Sequence, residues 1–259
     1  MTVRIRSSSI ASIIDCPLRG LSIALGLVKP LPSTAPAAIG SACHASTAAF
    51  DHAVAAGHNP KPNDTADVLI EMLRHPEGDV DWGMVSIPEA ERRALGVHTR
   101  YCTDVAPQMQ YKEIELTCTP MLVEVEDIQI ELTGTLDRAC VNEDNEFGIA
   151  DLKTGARACS QSAGKHKGQL AVYEILFENT TGEECLADPA IIQLQTSSEY
   201  MVDVKTVENA RAALVGDGIQ IGFLQHIARM LKSGDFIGNP SSWLCSEKYC
   251  PLHKSCIFK

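Results

Sequence analysis

The 259-residue sequence lacks three features that would assign it to common protein classes. It has no apolar run of the roughly 18–20 residues that a membrane-spanning helix needs, so we predict no membrane association. It has no Gly-x-x-x-x-Gly-Lys-Ser/Thr phosphate loop, which excludes an ATP-driven helicase of that class. It has no excess of positive charge: 22 lysines and arginines oppose 33 aspartates and glutamates, for a formal net charge of −11. That balance argues against a non-specific, histone-like nucleic-acid binder.

Cysteine is the residue type present in excess, at ten residues. The chain is long enough to bury a hydrophobic core, so disulfides are not needed to stabilise it. Charged residues and prolines interrupt the N-terminal apolar segment that could otherwise act as a signal peptide: Asp15, Arg19, Lys29, Pro30 and Pro32. We therefore predict a cytoplasmic protein in which metal or cluster ligation, rather than disulfide bonding, explains some of the cysteines.

Periodicity predicts helices at both ends of the sequence and strands in the middle. Alternation of apolar and polar residues predicts strands over 111–117, 128–137, 148–154 and 190–196. Helices are predicted over 10–14, 37–56, 65–74, 88–105 and 164–179, and one or two helices over 204–231. This order predicts an α+β (α/β) fold in which helices flank a central mixed β-sheet. We expect one domain over 1–259, with a helical part (1–105), a core (106–200) and a helical, cysteine-rich part (201–259).

Two carboxylates and a lysine fall on neighbouring predicted strands. Asp151 and Lys153 are two residues apart and therefore face the same side, while Asp137 ends the preceding strand. If the strands form a hairpin, Asp137 and Asp151 converge, and such a pair favours a hard cation such as Mg²⁺ or Mn²⁺. A lysine there can orient water or stabilise charge on a phosphate. Taken alone, the pattern also fits a solvated hairpin with scattered charges.

The motifs around these residues resemble the RecB-type branch of the PD-(D/E)XK nuclease superfamily. In chain order they are Gly40-Ser-Ala-Cys-His44, Gly134-Thr-Leu-Asp137, Asp151-Leu-Lys-Thr-Gly155 and Gln169-Leu-Ala-Val-Tyr173. Each motif is weak alone, but the ordered set extends from Ser7 to Cys256 and is specific. Position 151 is Asp where many superfamily members have Glu. The resemblance implies a restriction-endonuclease-like core and metal-dependent hydrolysis of DNA phosphodiester bonds.

The resemblance also implies individual roles. Mg²⁺ or Mn²⁺ would be bound by His44, Asp137, Asp151 and the Leu152 carbonyl, and the imidazole would favour Mn²⁺. Lys153 would position the attacking water.

Three further residues would complete the site. Gln169 and Tyr173 share a helix face and would support the site or contact DNA, although ordinary helix packing also explains their spacing. An upstream glutamate is also expected. Periodicity cannot choose between Glu113 and Glu115, which lie on the same face of one strand, and we slightly favour Glu113.

Four cysteines stand near the two ends of the sequence: Cys16, Cys245, Cys250 and Cys256. The arrangement resembles the iron–sulphur branch of the family, which includes AddB-type nuclease domains and CRISPR-adaptation nucleases. It implies a largely structural [4Fe–4S] cluster on these four thiolates. Zinc held by His253 and the last three of these cysteines is the alternative. The other six cysteines have no ligand spacing, and we expect most of them to be packing residues.

Basic residues follow the lysine-bearing strand and open the next helix, namely Arg157, Lys165, His166 and Lys167. They are the predicted phosphate contacts, because a helix N-terminus adds positive potential; a solvated loop is the alternative. The expected function is an exonuclease acting on DNA that is single-stranded or has free ends. A helicase or recombination and repair partner and a homo-oligomer are further expectations. The alternatives are a non-catalytic nucleic-acid-binding module with a zinc or cluster site, and an endonuclease of restriction or CRISPR-adaptation type.

Overall fold

The fold consists of β-sheets with helices packed on their faces. A computed structural model describes residues 2–156, 163–197 and 199–259. Its strands are β1 (Thr2–Arg6), β2 (Ser33–Thr34), β3 (Val80–Asp81), β4 (Tyr111–Thr117), β5 (Met121–Val125), β6 (Ile128–Thr133), β7 (Thr135–Val141), β8 (Phe147–Gly155), β9 (Ala190–Gln195) and β10 (Val202–Thr206). Its helices are α1 (Ile10–Asp15), α2 (Pro17–Ala24), α3 (Ala35–Ala55), α4 (Ala66–Arg74), α5 (Ile87–Arg100), α6 (Lys167–Thr181), α7 (Ala210–Val215) and α8 (Phe223–Ser233).

The larger sheet has five strands in the order β10-β9-β8-β7-β4. Its strands pair antiparallel except β8 and β9, which are parallel. A smaller sheet has the order β1-β6-β5, in which β1 runs parallel to β6. The predicted fold class, a mixed sheet flanked by helices, is confirmed.

Strand β8 is covered by helices on both faces of the larger sheet. Ala150 and Leu152 pack in one buried cluster with residues of α3, α4 and α5, whereas Ile149 packs in another cluster with residues of α1, α6, α7 and α8. Alternate residues of a strand face opposite sides, so Asp151 and Lys153 belong to the α6 side together with Ile149. The lysine-bearing strand thus lies between two helical layers.

The prediction of one or two helices over 204–231 is wrong over its first part, where the structure has the edge strand β10. Val202 and Val204 alternate with polar residues along this strand, and pairing with β9 provides hydrogen-bond partners for its backbone along one edge. The remainder is divided into α7 and α8. Gly216 has a φ of +86°, and a Cβ at Gly222 would lie 2.2 Å from the Leu214 carbonyl oxygen. The chain therefore turns between these two glycines, where one continuous helix would not fit.

Strands β1 and β5, which periodicity did not predict, form the edges of the smaller sheet around β6. Within the described part of the chain, no helix is both long enough and apolar enough to cross a membrane.

Candidate active site

The pairing of β7 with β8 ends beside two aspartates, Asp137 and Asp151. The last paired residues are Arg138 and Ala150, and continuing the same register places Asp137 opposite Asp151. Beyond the last pair, a side chain takes the place of a main-chain acceptor: Asp137 Oδ2 accepts a hydrogen bond from the Leu152 N–H at 2.7 Å. The structure therefore brings the two aspartates together where the strands diverge.

His44 and Glu115 join Asp137 to form a group of ligand atoms. His44 extends from α3 and Glu115 from β4, and one ligand atom from each of the three residues lies within 4.8 Å of the others. His44 Nδ1 is 3.4 Å from Asp137 Oδ1. An imidazole and two carboxylates from three different elements form a donor set that can hold a divalent cation.

The structure places Glu115, and not Glu113, in this group. Glu115 lies between the pairs Ile114–Arg138 and Leu116–Leu136, hence opposite Asp137, whereas Glu113 pairs with Ala139 farther from the site. Strict alternation does not hold in β4, because the register shifts between Tyr111 and Glu113 and Glu115 has a φ of 52°. The preference for Glu113 does not agree with this geometry. Left-handed backbone at a residue other than glycine is uncommon and clusters at functional sites.

Asp151 is buried and held from two sides. Its Oδ2 lies 2.5 Å from Lys153 Nζ, and its Oδ1 accepts a hydrogen bond from Gln169 Nε2 at 3.1 Å. Gln169 Nε2 is also 3.2 Å from the Tyr173 hydroxyl, so one face of α6 supports the aspartate. Asp151 is adjacent to the three-residue group but not part of it. Its role as a metal ligand, and that of the Leu152 carbonyl, stay predictions.

The charges around Lys153 are predominantly negative. Burial alone would lower the pKa of Lys153, but attraction to Asp151 and Asp137 raises it above its ordinary value. Burial would likewise lower the pKa of His44, and the same two carboxylates raise it. Burial, reinforced by Asp137 and opposed by Lys153, raises the pKa of Asp151 to about 6. A divalent cation would therefore compete with the positive charges of Lys153 and His44 for the two buried carboxylates.

A glycine lets the β6–β7 junction approach α6. A Cβ at Gly134 would lie 2.7 Å from Ser7 Oγ and 2.8 Å from Tyr173 Cε1. The first glycine of the Gly134–Asp137 motif therefore has a steric role, because any larger residue would displace Tyr173.

Arg138, which sequence reasoning missed, connects the ligand group to the core. Its guanidinium is fully buried, with Nε donating to Asp51 Oδ2 at 2.7 Å. Nη1 donates to Glu115 Oε1 at 3.2 Å and to the Asp137 carbonyl at 2.8 Å. The Tyr101 hydroxyl donates a hydrogen bond to Asp51 Oδ2 at 2.5 Å. Because these residues are far apart in sequence, no local pattern indicates the network.

The PD-(D/E)XK nuclease superfamily model matches residues 7–257. The chain belongs to this superfamily. No curated protein matches it. Among solved structures, a candidate exonuclease from Eubacterium rectale is 13% identical with a TM-score of 0.54, over 93% of this chain and 86% of that chain. The protein SSO0001 is also 13% identical with a TM-score of 0.46, over 98% of this chain and 85% of that chain. At this level of identity the similarity concerns the fold.

Superfamily membership gives the site its chemical context. PD-(D/E)XK nucleases hydrolyse phosphodiester bonds with divalent metals, and DNA is the substrate that the family implies. The group formed by His44, Glu115 and Asp137 is the candidate metal site of this nuclease.

The four cysteines at the chain ends line one cavity of the nuclease. Cys16 lies at the junction of α1 and α2, and the C-terminal tail brings Cys245, Cys250 and Cys256 to it. The Asn239 N–H donates a hydrogen bond to Cys16 Sγ at 3.4 Å. Burial and the three neighbouring thiols raise the pKa of Cys245, as expected when thiols are close enough to repel one another as thiolates.

Hydrogen bonds hold the tail against the N-terminal helices. The Leu18 N–H donates to the Ile237 carbonyl at 3.2 Å, and Arg19 Nε donates to the Tyr249 carbonyl at 3.0 Å. The structure thus brings the predicted cluster ligands together although they are distant in sequence.

The predicted DNA contacts lie at the start of α6. Lys165 is exposed and Lys167 is half-buried, both just before Gln169. Arg157 lies outside the described residues. Phosphate binding by these residues stays a prediction.

The two glutamates of β4 provide a matched test of the ligand group. We expect Glu115→Gln to weaken Mn²⁺ binding at least about tenfold, because loss of outer metal-site partners alone costs about 10–100-fold. Glu113→Gln removes the same charge from the same strand and should keep the wild-type affinity. Isothermal titration calorimetry with Mn²⁺ measures both. The opposite ranking of the two variants would show that the ligand group is misassigned.

Proposed function

We propose that this nuclease is a Mg²⁺- or Mn²⁺-dependent exonuclease of the RecB type that hydrolyses DNA. The observation that carries the proposal is the convergence of His44, Glu115 and Asp137 beside the Asp151–Lys153 pair. The first three residues would hold a divalent cation, which would supply Lewis-acid chemistry for the phosphate and for the attacking water.

The other residues act on the substrate and its water. Lys153 is held as an ammonium by Asp151, and from there it can orient the attacking water and stabilise negative charge that develops on the phosphate. Gln169 keeps Asp151 in place. Arg138 holds Glu115 and the Asp137 main chain, so the carboxylates are positioned before substrate arrives.

Exonuclease activity is supported by the motif order of the RecB-type branch and by the structurally similar candidate exonuclease from E. rectale. A DNA helicase or recombination partner and self-association belong to the same proposal.

A comparison of DNA topologies tests the need for ends. With Mn²⁺ present, we expect linear DNA to be degraded to short products while a covalently closed circle of the same sequence stays intact. The substrates are resolved on a denaturing gel after equal incubation. Degradation of the circle at the linear rate would contradict the exonuclease and identify an endonuclease instead.

We further propose that Cys16, Cys245, Cys250 and Cys256 hold a [4Fe–4S] cluster. The fit rests on four thiols around one cavity. His253 lines the same cavity, and its Nδ1 is buried with no hydrogen-bond partner among the described residues. A buried polar atom without a partner is costly, which is consistent with an additional group in this cavity.

The spacing of the thiols supports a cluster over a single zinc ion. Tetrahedral Zn²⁺ with Zn–S distances of about 2.3 Å holds its sulphur ligands roughly 4 Å apart. In the part of the chain that the structure describes, no three ligand atoms from this set, His253 included, lie within 4.8 Å of one another. Wider spacing suits a cluster, in which each thiolate binds a different iron.

A further inference from the structure

An open groove lies between α1, the start of α6 and the C-terminal tail. Its lining includes Ile10, Ile14, Lys165, His166, Phe223 and Trp243, and it opens to solvent. We call it the α1–tail groove. It is separate from the cavity of the four cysteines, although Leu244 lines both.

One end of the α1–tail groove adjoins the candidate active site. Ser8 lines the groove, and the preceding Ser7 lies against Gly134 together with Tyr173, the residue that contacts Gln169. Ile10 and Phe223 also line it, and both lie against Gly168, the residue before the Gln169 that donates to Asp151 of the lysine-bearing strand. A chain lying in the groove would therefore reach the lysine-bearing strand.

The other end of the groove carries an exposed aromatic platform. Trp243 is 67% exposed, and its ring packs edge-on against Tyr249 at a centroid distance of 5.2 Å. Lys248 Nζ lies 5.5 Å from the centroid of the Tyr249 ring, so a cation accompanies the pair. An exposed indole fixed by a second ring presents a flat apolar face, which is costly in water and typical of binding surfaces.

Two exposed lysines at or beside the α1–tail groove can contact an anionic chain despite the net charge of the protein. Exposed Lys165 stands at the active-site end and exposed Lys248 beside the Trp243 platform. The described lining also contains one carboxylate, that of Asp15, which accepts a hydrogen bond from the Ser242 hydroxyl and keeps its negative charge. The apolar residues of the lining include Ile14 and Phe223.

We propose that the α1–tail groove binds an unpaired DNA strand, with one base stacked on Trp243 and its backbone held near Lys165 and Lys248. The inference rests on the proposed function and specifies its substrate as single-stranded. Aromatic platforms beside cations are the recognised means of binding single strands, and a base within a duplex cannot offer its face to an indole.

Fluorescence of Trp243 reports on this contact, because the sequence has only two tryptophans. In Trp82→Phe protein that retains its cluster, without added divalent metal, we expect an oligothymidine to quench the remaining tryptophan. Trp243→Ala in the wild-type background should bind a labelled oligothymidine about 5- to 100-fold more weakly by fluorescence anisotropy. Leu122→Ala, which removes an exposed apolar side chain from β5, is the matched control and should bind like wild type.

Three outcomes overturn the inference: no quenching, wild-type affinity in Trp243→Ala, or equal quenching by a blunt duplex of the same length. Each of them leaves the proposed nuclease untouched if the wild type still degrades DNA with Mn²⁺. Conversely, quenching by the single strand with no degradation supports the groove and refutes the proposed function.

Discussion

Lys153→Met is expected to degrade DNA about 10²–10⁴-fold more slowly than the wild type. Methionine preserves most of the apolar stem but removes the ammonium group that lies 2.5 Å from Asp151 Oδ2. Without this charge, neither the attacking water nor the developing phosphate charge has its positioned partner. The rate is measured as release of labelled nucleotides from linear DNA with saturating Mn²⁺.

A matched lysine separates this effect from a general loss of positive charge. Lys205 is exposed on the edge strand β10 of the same sheet, so Lys205→Met should retain the wild-type rate. Because Lys153 is paired with a buried carboxylate, circular dichroism must establish that Lys153→Met is folded. Asp151→Asn, which preserves volume, is expected to show a similar loss. A folded Lys153→Met within about threefold of the wild-type rate would remove Lys153 from the mechanism.

Cys16→Ser is expected to abolish stable iron binding and to release the C-terminal tail. Cys16 is the proposed ligand from the N-terminal helices, while the other three cysteines lie in the tail, so its loss would break the link that the proposed cluster makes between them. By analogy with removal of a native disulfide, we expect the free energy of unfolding to fall by about 2–5 kcal/mol. The measurements are iron per chain, visible absorbance and protease sensitivity of the tail.

Cys185→Ser is the matched control for this substitution. Cys185 is half-buried and packs against the hydrophobic core, outside the cavity of the four cysteines. We expect this variant to retain iron and a protected tail. Iron retained at the wild-type level in Cys16→Ser, or zinc in place of iron in wild-type protein, would contradict the cluster assignment.

The parts of the site that depend on local order could be predicted from the sequence. Asp137, Asp151 and Lys153 lie on one hairpin, whose strand alternation is visible in the residues themselves. Gln169 and Tyr173 are four residues apart on a single helix, so their shared face follows from helical geometry. The superfamily match is consistent with the motif order that first indicated a nuclease.

The parts that depend on irregular backbone or distant contacts could not be predicted. Glu115 reaches the ligand group through a register shift and a left-handed residue, which two-residue periodicity does not describe. Arg138 is paired with Asp51, 87 residues earlier, and nothing in either local sequence indicates a buried ion pair. At β10, pairing with β9 outweighs the helical pattern that 204–231 suggests, because tertiary contacts override weak local propensity.

The most direct measurement of the central claim is hydrolysis by wild-type protein that has been freed of divalent metal and then titrated with Mn²⁺ or Mg²⁺. The quantity measured is nucleotide released from linear DNA. Circular dichroism verifies that the protein used is folded. The proposed site predicts no release without cation and saturable release as the cation is added. Hydrolysis that is equally fast in a chelator, or a folded protein that releases nothing with either cation, would contradict a metal-dependent nuclease built on His44, Glu115 and Asp137.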